Sequence, residues 1–130
     1  MKFSQWIKGF GFAVMMTLAT SGKAADWQPY SDEVFKSAQD RGSTIVVDFH
    51  ADWCSTCKKQ KPILESLLKQ EEFKNVVGLT ANFDTAAELK KKYQVQKQST
   101  LIVFKGAKEV SRSMGSTNES DIRATISKGL

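Results

Sequence analysis

The chain of 130 residues is poor in the side chains that usually build sites: it has two cysteines, two prolines and one histidine. Two cysteines cannot make a disulfide framework, and both lie in a single stretch, Trp53-Cys54-Ser55-Thr56-Cys57. The single histidine, His50, limits a metal centre to three candidate ligands, the two thiols and His50, which is the least a zinc site uses, and strand alternation turns His50 away from the pair. Repeats and low-complexity segments are missing too, and 41% hydrophobic with 25% charged residues is the composition of one ordinary globular domain. No apolar run is long enough to span a bilayer, because Gly9–Leu18 is about half of the ~20 residues required.

That short apolar run follows Lys2 and Lys8 and precedes the small residues Ser21, Gly22, Ala24 and Ala25, the pattern of a cleavable secretory signal peptide. Cleavage is expected after Ala24, which leaves residues 25–130 as one domain and places it in a bacterial periplasm. There thiols tend to be oxidised, so a lone cysteine pair needs a reason. The leader carries Lys2, Lys8 and Lys23 and no acidic residue, so its removal lowers the formal charge from +5 to +2. Such a charge is no nucleic-acid footprint, and Lys90-Lys91-Lys92 reads as a solvated helix face.

What remains alternates strand and helix signals. Trp27–Tyr30, interrupted by Pro29, reads as an edge strand. Ser31 caps a helix to about Gln39 that stops at Gly42. Thr44–Phe49 is a β-branched, nearly continuous apolar run, the mark of a strand covered on both faces, with Asp48 near its carboxyl end. A helix is expected from Lys58 to about Gln70, kinked by Pro62, followed by a strand at Val76–Phe83 and a short helix at Ala86–Tyr93. A strand at Leu101–Phe104 turns through Gly106 into Glu109–Met114, and a last helix is capped near Asn118. The order β-α-β-α-β-α-β-β-α predicts an α/β fold with a central mixed β-sheet flanked by helices.

Cys54 falls just past the end of the Thr44–Phe49 strand, where such sheets collect their chemistry. A thiol at a helix start meets unpaired backbone N–H groups and the positive end of the helix dipole, so Cys54 is expected to be exposed, ionised and nucleophilic. Cys57, one turn deeper, is placed to resolve a mixed disulfide on Cys54, so that Cys54 and Cys57 form a redox-active disulfide. A structural staple over so short a loop would contribute little.

The segment Val47-Asp48-Phe49-His50-Ala51-Asp52-Trp53-Cys54-Ser55-Thr56-Cys57-Lys58 resembles the active-site segment of the thioredoxin family. Pro62, Asn82-Phe83-Asp84, Tyr93-Gln94-Val95 and Gly115 extend the resemblance over nearly the whole domain, and the Ala-Asp-Trp-Cys wording is most similar to the C-terminal domain of the DsbD-type thiol-reductant conductors. The resemblance implies a thioredoxin fold and a thiol:disulfide oxidoreductase that needs no cofactor. It implies a monomer that reduces disulfides of exported proteins, with a membrane thiol-reductant carrier as electron donor. It also implies proton transfer by Asp48 at the resolving cysteine, and substrate contact by Trp53 and by the loop Gln98, Ser99, Thr100.

The sequence departs from that pattern in places. Ser99 stands where the family has a cis-proline, so a trans Gln98–Ser99 bond is expected, with the Ser99 N–H and hydroxyl both able to reach a thiolate. Thr80 replaces a lysine facing the buried aspartate, so the Asp48 pKa should be high; Lys59 and Gln60 suggest a charged docking surface. Ser55-Thr56 does not disclose redox direction. A disulfide donor or isomerase, and a non-catalytic binding or metal-binding module that kept the fold, remain open alternatives.

Overall fold

The computed structural model describes residues 27–130, so the expected leader and its cleavage site lie outside the described residues. The elements are β1 (Gln28–Pro29), α1 (Asp32–Asp40), β2 (Thr44–His50), α2 (Ser55–Leu68), a 3-10 turn (Glu71–Phe73), β3 (Val77–Asn82), α3 (Ala87–Lys92), β4 (Thr100–Lys105), β5 (Lys108–Met114) and α4 (Glu119–Ser127). The expected order of strands and helices is found, with the 3-10 turn as an addition. It places Phe73 fully inside the core. The helix after the cysteines begins at Ser55 rather than at Lys58, because Cys54 itself caps it by accepting the Cys57 N–H at 3.1 Å. Ser31 and Asn118 cap α1 and α4 in the same manner, their side-chain oxygens accepting from Val34 and Asp121. Pro62 lies on the exposed side of α2, which continues through it as one helix.

The sheet runs β1-β3-β2-β4-β5, with β2 at the centre, parallel to β3 and antiparallel to β4. A central strand has no solvated face, which is why β2 is apolar almost throughout. Its alternation divides the core. Ile45, Val47 and Phe49 pack with Phe35 and Ala38 of α1 and with Phe104, whereas Val46 packs with Leu64, Leu67 and Leu68 of α2 and Ile122 and Ile126 of α4. Asp48 and His50 share the parity of Val46, and both help to line a cavity beside Leu64 of α2. Fully burying one such aliphatic or aromatic side chain contributes roughly 1.5–3 kcal/mol, so these two layers hold the end of β2 rigidly.

The α2 layer approaches β3 so closely that Gly78 has no room for a side chain. A Cβ there would lie 2.6 Å from Leu68 Cδ2 and 2.8 Å from the Trp27 ring. Gly78→Ala is therefore expected to lower stability by about 1–3 kcal/mol in denaturant melts, by pushing α2 and Trp27 away from the sheet.

Candidate active site

After His50 the chain turns through Ala51-Asp52-Trp53, and the Cys54 N–H returns to the Ala51 carbonyl at 3.1 Å. This delivers Cys54 to the N-cap of α2 and Cys57 to its first turn, both as free thiols. Cys54 is only 3% exposed and Cys57 1%, so the expected contrast between an exposed and a sheltered thiol is not found at the level of whole residues. Ala51 and Phe83 pack around the pair, and Ser99 covers it from the opposite loop.

Ser99 is the centre of that cover. Its Oγ lies 3.3 Å from Cys54 Sγ and 2.9 Å from Cys57 Sγ, so one hydroxyl spans both sulfurs. Its backbone N–H, also expected to reach a thiolate, donates instead to the Phe49 carbonyl at 2.8 Å, because the sheet edge at the end of β2 claims it first. The Gln98–Ser99 bond is trans, no cis peptide occurring among the described residues, and Ser99 adopts φ +63°, a left-handed conformation that costs a non-glycine residue on the order of 1–3 kcal/mol. The loop holds this conformation through three ties: the bond to Phe49, the Gly115 N–H donating to the Ser99 carbonyl at 3.0 Å, and Gln60.

Gln60 is a correction to the sequence reading. It forms no part of a docking surface but is fully buried, with Nε2 donating to the Ser116 carbonyl at 3.0 Å and, at 3.5 Å, to that of Ser99. Helical spacing alone gives the reason: position 60 shares a face with Cys57 and Leu64, which also point inward. Lys59 is exposed as expected. Thr100 likewise points inward, its hydroxyl donating to the Lys97 carbonyl at 2.7 Å, so it braces the loop. Of the three loop residues assigned to substrate, only the half-buried Gln98 retains an open side.

Trp53 is 61% exposed beside Cys54, and its indole N–H donates to Asp84 Oδ2 at 2.9 Å. Asp84 is held in turn by its own N–H on Asn82 Oδ1 at 2.9 Å. Asp84 is a site-building residue to which sequence reasoning gave no role, and Gln60 one to which it gave the wrong role. The Asn-x-Asp turn at Asn82 was the available signal for Asp84.

The electrostatics distinguish the two thiols. Burial pushes Cys54 up, but hydrogen bonds from the Cys57 thiol, the Ser99 hydroxyl and the N–H groups of Cys57 and Thr56 outweigh it and bring Cys54 below the ordinary thiol value. For Cys57 burial dominates, the Cys54 thiol adds to it, and the pKa is raised despite Ser99 and the Ala51 backbone. Of the two thiols Cys54 therefore ionises first, and Cys57 holds its proton more tightly. Asp48, 4% exposed and facing Thr80 across the β2–β3 register, is pushed up to about 7 by burial, with Lys61 of α2 opposing. His50 approaches Asp48 and Asp52, not the sulfurs. Among the described residues no cluster of three or more His, Cys, Asp or Glu side chains is arranged for a metal.

A strand end that leads into a helix capped by a thiolate, with a second thiol one turn on, is a dithiol–disulfide exchange site. The comparisons give the family. The thioredoxin family profile matches residues 26–128. Thioredoxin of Chlamydia trachomatis is 37% identical over 84 residues, which are 65% of this chain and 80% of that one. Thioredoxin of the fish Ictalurus punctatus is 34% identical over 91 residues, 70% of this chain and 82% of its own. The crystal structure of Trxlp from Edwardsiella tarda superposes with a TM-score of 0.75 at 37% identity, covering 78% of this chain and 98% of that one. The chain belongs to the thioredoxin family, and Cys54 and Cys57 make it a thiol:disulfide oxidoreductase.

Two outcomes follow from this geometry. Ser99→Ala removes the hydroxyl from the Cys54 sulfur and should raise its pKa; the smaller thiolate fraction is partly offset by the greater nucleophilicity of the more basic sulfur, so alkylation of Cys54 at neutral pH should slow, by about threefold. For Asp48, a folded-state value of about 7 against an ordinary 3.8 means that the native chain keeps a proton the unfolded chain has lost. Stability therefore falls as pH rises between those two values. The stability of Asp48→Asn relative to the wild type should rise over the same interval, by on the order of 4 kcal/mol in urea melts.

Proposed function

We propose that this oxidoreductase works in a bacterial periplasm, released from its leader after Ala24, and reduces disulfides in exported proteins. The observation that carries the exchange chemistry is the single Ser99 hydroxyl between the two sulfurs, while the direction rests on the likeness to thioredoxins. The hydroxyl stabilises whichever sulfur is anionic, first Cys54 as it attacks and then Cys57 as it resolves.

In the forward direction the Cys54 thiolate attacks one sulfur of a substrate disulfide, forming a mixed disulfide and releasing the other substrate sulfur as a thiolate. Cys57 then loses its proton and attacks Cys54 Sγ. The bond to substrate breaks, the second substrate sulfur leaves and takes a proton, and two electrons have passed from the protein dithiol to substrate. Asp48 is the acceptor for the Cys57 proton. Neither of its oxygens bonds a sulfur directly, so the transfer requires a water or a side-chain movement between them. Trp53 and Gln98 offer the surface on which substrate rests. The Cys54–Cys57 disulfide is returned to the dithiol by a membrane thiol carrier, as the resemblance to DsbD-type conductors implies.

The reducing direction is supported by the likeness to thioredoxins along most of their length and by the direct passage from α2 through the 3-10 turn to β3, with no helical insertion. One observation favours the opposite direction. Hydrogen bonds that stabilise the thiolate stabilise the reduced protein and so raise its potential, the property of a disulfide donor.

Equilibration of the purified 25–130 chain against glutathione decides between them. A potential near the roughly −270 mV of thioredoxin supports the reductase, whereas one near about −120 mV makes the protein a donor. In the same preparation, insulin reduction should vanish in Cys54→Ser. Periplasmic extracts of cells expressing Cys57→Ser should yield partners held as mixed disulfides on Cys54.

A further inference from the structure

His50 has no part in the exchange just described, yet it is the one imidazole of the chain and it lies along the buried carboxylate. Alternation along β2 puts Asp48 and His50 on the same face, two residues apart. Asp48 Oδ1 is buried with no hydrogen-bond partner, and Oδ2 is 4.0 Å from His50 Nδ1. On the far side of the ring, Nε2 is 3.2 Å from Oδ1 of Asp52, a fully solvated carboxylate. A carboxylate can only accept, so Nε2 donates to Asp52, and in the neutral imidazole Nδ1 is then the free acceptor on the side of Asp48.

The space between them is built for this. A cavity of about 190 Å3 is lined by Asp48, His50 and Asp52, by Lys61 and Glu65 of α2, and by Thr80 of β3. It has ample room for a water that would join the 4.0 Å separation, and its polar lining provides the partners such a water needs. The charged groups facing Asp48 and His50 are thus Lys61 and Glu65 from α2 and Asp52 from the turn after β2. Thr80, on the neighbouring strand, presents an uncharged hydroxyl.

We propose that His50 is the proton relay of this enzyme, moving the proton that Asp48 takes from Cys57 out to solvent by way of Asp52. Asp48–H gives its proton to His50 Nδ1 through the cavity, Nε2 releases its own to Asp52 and water, and proton exchange with water at the two ring nitrogens restores the starting tautomer. No electrons move, and one proton leaves for each resolution. Because His50 does not touch a sulfur, attack by Cys54 on substrate does not depend on it. The relay rests on the reading of Asp48 as the proton acceptor, and the test separates the two.

The rate at which a preformed mixed disulfide on Cys54 is resolved by Cys57 should be measured by stopped flow between about pH 5 and 9 in the wild type, His50→Gln, His50→Phe and Asp48→Asn. Both His50 variants should resolve about tenfold more slowly, with alkylation of Cys54 within twofold of the wild type, and added imidazole should restore most of the rate. His50→Gln should add nothing in the Asp48→Asn background, because the two groups act in series. A slowed Asp48→Asn beside His50 variants that resolve at the wild-type rate, or whose loss no added imidazole restores, overturns the relay and leaves Asp48 in its role. An Asp48→Asn that resolves normally removes the Asp48 reading and the relay together.

Discussion

The burial of β2 on both faces is the constraint on which the redox site is built. Because the strand lies between β3 and β4 and is covered by helices on either side, its carboxyl end cannot move, and each residue there has a fixed direction. The Phe49 carbonyl holds the Ser99 loop, Asp48 is directed under α2, and the turn after His50 places Cys54 at a helix N-cap. Three different parts of the machinery, the thiolate, its hydroxyl partner and the buried acid, hang from consecutive residues of one strand. Rigid placement of this kind keeps hydrogen bonds short without further ordering of side chains when charge develops on sulfur.

Ser99 shows what such rigidity allows. A serine at φ +63° is a strained residue, held because its N–H, carbonyl and hydroxyl are all engaged. The buried amide of Gln60 contributes to the same end from α2, tying the loop to the residue after Gly115. Its Nε2 is paired with two carbonyls, which offsets part of the cost of burying an amide in an apolar layer, while Oε1 is buried without a partner. The strain and the buried amide are both spent on one result, a hydroxyl held against two sulfurs.

Much of the fold was legible in the sequence because the signals were local. Thr44–Phe49 declared a two-faced strand by its nearly continuous apolar run, Ser31 and Asn118 announced their helices, and Gly106 marked the hairpin. The start of α2 was missed by three residues, since the cap is a cysteine and thiols are not among the usual capping side chains. Gln60 and Thr100 were misjudged for another reason. For Gln60 residue type suggested surface and for Thr100 the family resemblance suggested substrate contact, while the direction of the side chain, set by the helix face and by the sheet register, put both inside.

The sequence by itself determined the chemistry of this protein: a single Cys-x-x-Cys after a buried strand, an acid six residues before it, and a serine where a proline was expected. The first two are properties of residue identity and spacing, the third is what the resemblance to the thioredoxin family adds, and no packing is needed to read them. Tertiary structure alone decided what the serine does, because residues 54 and 99 meet only when β4 pairs with β2, and the choice between N–H and hydroxyl depends on which carbonyl stands nearby. It decided equally that the raised Asp48 faces a cavity with His50 and Lys61 instead of a strand lysine, since burial and distance are relations between elements that no single stretch of chain contains.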